Sequence, residues 1–171
     1  MTITVTKTDV ARSQIDTAIE LWFGDRDPVS VHTLACAGLD VMNALGTPLG
    51  ELAMRYDPSR FKEGMFKDWL LVITEIRNFF KHADRNPEGT LDFKPSTNKY
   101  LLADCVDTFR RVSGGQTAVM QAYWAYFVVH NPRYFSPVGT KPIPVEFSEL
   151  SKEQFLEGFL SEFGQSASSE E

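Results

Sequence analysis

The chain has 171 residues, 43% hydrophobic and 23% charged, which suits one globular domain with a core of its own. Its formal net charge of −6 is opposite to the basic footprint of a typical nucleic-acid binder, so any such binding must rest on a local patch. No apolar run reaches the roughly 18 residues a membrane helix needs, and the first residues lack the apolar stretch of a signal peptide; no membrane partner and a cytoplasmic location are the expectations.

Thr2 to Thr8 alternates threonine with apolar or charged residues, but no second strand pattern follows to pair with it, so residues 1–8 are expected as an extended arm. The first helix is expected from Asp9 to Phe23, where Ile15, Ala18, Ile19 and Trp22 form an apolar stripe, with Gly24 ending it. Asp27-Pro28 is a capped helix start. That helix should run to Leu45, with Gly46 as a left-handed terminator. Val31, Leu34, Ala35, Gly38, Val41, Met42 and Leu45 make its main apolar face, and His32 and Cys36 lie on another. A short helix is expected from Thr47 to Tyr56.

Asp57-Pro58-Ser59 restarts the chain into a long central helix, about 60–82, with Phe66, Trp69, Ile73, Ile76 and Phe80 on its apolar face. Glu75, Asn78 and His82 line up on the opposite face, and Arg77, Lys81 and Arg85 form a basic stripe. Asp84 to Pro95 is a turn-rich loop that Leu91 and Phe93 should pin to the body. Helices from Thr97 to Val112 and from Gln116 to Val129 follow, separated by Gly114-Gly115. A Pro-rich strap from Asn131 to Val145 precedes a last helix opened by the capping box Ser151-Lys152-Glu153-Gln154 and ended by Gly164. The single domain is therefore expected to span 9–164, with a disordered tail over 165–171. Cys36 and Cys105 fall in separate helices and are read as reduced core thiols.

Arg77-Asn78-Phe79-Phe80-Lys81-His82 reads R-N-x-x-x-H. This resembles the R-x4–6-H signature of the HEPN superfamily of helical bundles, many of whose members are metal-independent ribonucleases and others non-catalytic. Arg26 to His32 fits the looser spacing across a helix start; the asparagine and the position at the end of a long helix favour Arg77–His82. The resemblance implies a HEPN-like all-α bundle of about six helices that pairs as a homodimer and uses no cofactor. It implies catalytic roles for His82 as general acid/base, Arg77 on the scissile phosphate of RNA, and Asn78 in support. Lys81, Arg85 and Glu75 would contact substrate. Imidazole titrates near neutral pH and guanidinium holds phosphate oxygens, so the residue types suit the chemistry. On one continuous helix, positions five apart point about 140° from one another, so Arg77 and His82 converge only if the helix ends or bends between them or a partner subunit supplies one.

The segments Asp27 to Leu34 and Asn78-Phe79-Phe80-Lys81-His82-Ala83-Asp84 also look like those of a family of bacterial helical proteins of about this length, a similarity that extends to about Phe163 and implies no activity. The two segments share His32 and His82, which with Glu75 or Asp84 could hold a divalent metal if the two helices meet. The E-x-x-H motif of di-iron bundles is absent, as are G-x-S-x-G, H-E-x-x-H, the P-loop and the dinucleotide fingerprint. Two functions remain open. One is a metal-independent endoribonuclease. The other is a non-catalytic dimeric bundle that binds a partner protein or a small ligand, in which His82 serves the helix end as a cap.

Overall fold

Capping chemistry decides where the helices begin. In the computed structural model, which describes residues 2–53, 65–82, 84–131 and 149–163 (the side chains of 65, 66 and 68–73 excepted), Thr6 and Asp9 cap each other's amides. This reciprocal box starts α1 (Lys7–Phe23) two residues ahead of the expected Asp9, drawing the end of the expected arm into the helix. Asp27 accepts from the amides of Val29 and Ser30 at the head of α2 (Pro28–Gly46). The remaining helices are α3 (Met65–Lys81), α4 (Asn98–Ser113), α5 (Ala118–His130) and α6 (Lys152–Phe163). Thr117 caps α5 through the Met120 amide, and Ser151 and Gln154 form the box expected ahead of α6. Six α-helices and no strand occur among the described residues, so the bundle is all-α as expected. None of these helices is long and apolar enough to cross a membrane. The expected start of the long helix at Arg60, the strap beyond Asn131 and the tail from Gln165 lie outside the described residues.

One glycine behaves differently from the reading of the sequence. Gly46 stays helical, at φ −77, and ends nothing by a left-handed turn. Its lack of a side chain serves packing instead: a Cβ there would collide with the Glu51 carbonyl oxygen and Val112. The left-handed residue is Gly50, at φ 75, after a single 3-10 turn over Thr47–Leu49. That turn stands in place of the short helix expected from Thr47. Asn43 shapes it, its side chain accepting from the Ala53 amide and its carbonyl from the Thr47 hydroxyl. Gly24 ends α1 as its C-cap, as expected, and the left-handed residue that follows is Asp25, at φ 47. The amides of Asp25 and Arg26 return to the carbonyls of Trp22 and Leu21, which is the Schellman arrangement.

The four residues between α1 and α2 turn the chain back, so the two pack as a hairpin with the most extensive contact in the fold. Helix α4 lies beside α2 and runs the same way: Asn98 meets His32 near one end, the Cys105 thiol donates to the Ala35 carbonyl in the middle, and Val112 reaches Gly46 at the other. Ile15, Ile19, Leu39, Met42, Leu102 and Val106 fill the space between these three helices. Helix α5 joins α1 through the Thr117 hydroxyl, which donates to Asp16 at 2.6 Å, and through edge-to-face contacts of Tyr123 with Trp22 and Phe23. Phe155 of α6 then packs against Phe23 and Tyr126. Cys36 and Cys105, expected as core thiols, are both buried and not joined in a disulfide.

Gly38 sets the closeness of the central hairpin. A Cβ added there would stand 2.6 Å from Ile15 Cγ1 and 3.2 Å from the Ala11 carbonyl oxygen. Alanine in a helix interior is ordinarily favoured over glycine by up to about 1 kcal/mol, whereas overpacking a tight core costs about 1–3 kcal/mol. The clash involves backbone, so it wins. Gly38→Ala is expected to destabilise the protein, read as a lower midpoint of thermal unfolding; an unchanged or higher midpoint would show that α1 and α2 can separate freely.

Candidate functional site

Helix α3 and the turn after it carry the candidate residues, and the phase of the helix separates them into two sets. Arg77 and Lys81, four apart, face α2, where both meet one carboxylate: Arg77 Nη2 is 2.5 Å and Lys81 Nζ 3.4 Å from Asp40 Oδ2. Arg77 is 30% exposed and Asp40 22%, so this is a half-buried pair that ties α3 to α2. Ile76, one position before Arg77, is buried.

Glu75, Asn78 and His82 lie on another side of α3, aligned as the sequence suggests. They line a shallow cleft of about 390 Å³ with Phe79, Arg85 and Gly89. His82 is the first residue past the last helical position; its amide still bonds the Asn78 carbonyl at 3.0 Å. The chain then turns, with the Arg85 amide on the His82 carbonyl at 3.2 Å. Because the helix has ended, Arg85 departs from the basic stripe expected with Arg77 and Lys81 and joins the His82 cleft. His82 is 38% exposed, and its Nδ1 stands 4.0 Å from Asp84 Oδ1, outside hydrogen-bond range. Phe79 is 37% exposed at the cleft while Phe80 turns inward.

The cleft therefore gathers an imidazole, an amide, a guanidinium and a carboxylate beside an open aromatic ring. It brings together His82, Asn78, Arg85 and Glu75. Arg77 and Lys81 are turned to Asp40 and line no part of it.

His32, the other half of the candidate metal pair, has a different setting. It is 2% exposed and wedged edge-on between the rings of Phe80 and Phe93, each about 5.3–5.4 Å away between centroids. Phe93 thereby pins the loop to the body, as expected. Asn98 Nδ2 donates to the Pro28 carbonyl at 2.9 Å, which turns its Oδ1 toward His32 Nδ1, also at 2.9 Å. That orientation assigns the proton to Nδ1, which donates to the amide oxygen. Among the described residues no group of three or more His, Cys, Asp or Glu side chains is placed to hold a metal, so His32 and His82 share no such group with Glu75 or Asp84.

Asp40 and Asn98 are the two residues of this region that the sequence reading did not single out. The single Asp, Glu, Lys or Arg within α2, set between Leu39 and Val41, is a usable signal for Asp40. Asn98 gave none, since an asparagine in a first helical turn is common. A comparison of the chain with protein-family models, curated proteins and solved structures finds no match in any of the three.

Two stability measurements follow from these partners. Asn98→Ala would leave the His32 Nδ1–H and the Pro28 carbonyl without their bonds, and a loss of about 2–4 kcal/mol in denaturant unfolding is expected; a loss near zero would mean other groups replace them. Arg77→Ala should lower the thermal midpoint by breaking the half-buried pair, whereas His82→Ala, at an exposed ring, should stay within about 0.5 kcal/mol of wild type. The reverse order would make His82 the structural residue.

Proposed function

We propose that the protein is a non-catalytic helical bundle that binds a partner protein through the cleft at the end of α3. The observation that carries this reading is the commitment of Arg77 to Asp40 at 2.5 Å, which takes the motif arginine away from His82 within the subunit. A phosphate-cleaving site needs its fixed cation and its proton-transfer group around one reacting atom. Phe79 supplies instead what a protein partner uses, a half-open aromatic ring that a pocket or a flat apolar residue can cover. Glu75 and Arg85 flank it with opposite charges, which suits orientation of a polar rim. The reading includes a cytoplasmic location, supported by two buried cysteines that form no disulfide, and a homodimer in solution.

A second reading keeps the HEPN-like ribonuclease, and one observation favours it. His82, Asn78 and Arg85 share a cleft, so Arg85 could hold the phosphate that the motif would have given to Arg77. His82 would then take the proton from the RNA 2′-OH.

Incubation of purified protein with RNA in EDTA separates the two. The binding reading expects RNA of unchanged length with wild type. It falls if wild type cuts and His82→Ala, still folded by thermal melt, does not. Loss of cutting in Arg85→Ala with cutting kept in Arg77→Ala would then establish the second reading's assignment.

A further inference from the structure

A second cleft, of about 500 Å³, lies on another part of the molecule and shares no lining residue with the one at the end of α3. The α1–α2 turn, the start of α4, the end of α5 and the start of α6 meet there. Its charged side chains come from positions far apart in the chain: Arg26, Lys99 and Lys152, against the one carboxylate of Asp25. In a chain with a formal net charge of −6 this is a local reversal of sign.

The three cations differ in how they are compensated. Lys152 is neutralised by Asp25 at 2.5 Å, and its ammonium sits 4.0 Å above the centre of the Trp22 ring. Lys99 donates to Asn131 Oδ1 at 3.2 Å, an acceptor without charge, and its ammonium lies 4.8 Å from the centre of the Tyr100 ring. Arg26 has no side-chain hydrogen bond or ion pair among the described residues. Its backbone is nevertheless held, by the amide bond to the Leu21 carbonyl at 2.8 Å and by Asp25 in the left-handed region before it. Among the described residues, two positive charges thus face the cleft without a carboxylate paired to them, one of them a planar guanidinium suited to a pair of phosphate oxygens. The rest of the wall is largely apolar, with Val31, Pro95 and Tyr126, and the volume falls in the range of sites that enclose a whole organic molecule.

We propose that this cleft binds a small organic phosphate, its dianionic head held by Arg26 and Lys99 and its apolar body against Val31, Pro95 and Tyr126. The charge of the head matches these two cations. The apolar wall and the volume call for a body larger than phosphate alone. Lys152 and Asp25, already paired, act as a fixed rim. The site is independent of the cleft proposed for a protein partner and stands or falls separately.

Calorimetric titration of the full chain with adenosine monophosphate and with phenyl phosphate tests this, with inorganic phosphate and adenosine as the two halves of the ligand. Saturable binding of at least one ester is expected, tighter than that of either inorganic phosphate or adenosine. Arg26→Glu, at a side chain with no partner to lose among the described residues, should keep the wild-type melting midpoint and weaken ester binding by about tenfold or more; Lys99→Met should act in the same direction. The proposal is overturned if neither ester binds at millimolar concentration, if inorganic phosphate or adenosine binds as tightly as the esters, or if Arg26→Glu binds like wild type. Binding that survives Arg26→Glu and is lost in Arg85→Ala would move the ligand to the cleft at the end of α3, and would count against the protein-partner reading there as well.

Discussion

The imidazole of His32 joins more of this fold than any other polar group described. One nitrogen bonds the amide of Asn98 at the head of α4, and that amide in turn holds the first carbonyl of α2. The ring edges meet Phe80 of α3 and Phe93 of the loop before α4. Four segments far apart in the chain are thus fixed around one residue that is almost fully buried. A buried polar group is costly unless bonded, so the arrangement tolerates few alternatives, and this gives the packing its register. The residue proposed as half of a metal pair is in this structure the hub of the packing.

Helix α2 is the spine through which both clefts are positioned. Its face toward α1 is closed by Gly38 against Ile15, and its face toward α4 by Ala35 and Gly46. From what remains, Asp40 reaches α3 and orients it through Arg77 and Lys81. That orientation leaves Asn78, Phe79 and His82 facing outward at the α3 cleft. At the other end of the spine the Schellman turn before α2 presents Arg26 to the second cleft. The same helix therefore turns one arginine inward as a structural tie and starts just after another that keeps its charge available.

Charge is distributed by place more than by total. The acidic balance of the chain as a whole coexists with a basic stripe on α3 that is largely consumed by Asp40, and with a cationic cleft assembled from the turn after α1, α4 and α6. Coulomb interactions between exposed charges fall off within about a Debye length, roughly 8–10 Å in ordinary salt, so a bound anion would sense the cations lining the cleft more than the net charge of the chain as a whole.

Much of the fold was legible from the residues alone. Helical apolar stripes, the Asp27-Pro28 start, the Ser151–Gln154 box and the Gly114 stop are local patterns, each settled by sterics and hydrogen bonds within a few residues, and the helices lie where these patterns put them, with α1 beginning earlier by its Thr6–Asp9 box. The alignment of Glu75, Asn78 and His82 follows from helix periodicity in the same way. Partner choice did not. Whether Arg77 would meet His82 or a carboxylate depended on which helix lay beside α3, and Asp40 stands 37 residues away in the chain. The role of Gly46 depended on Glu51 and Val112 arriving beside it. Local sequence determined the helices and the faces they offer. Only the tertiary structure decided which faces were covered, because burial and pairing are properties of neighbours brought together by packing, and the charges of Arg26, Lys99 and Lys152 become one site only in three dimensions.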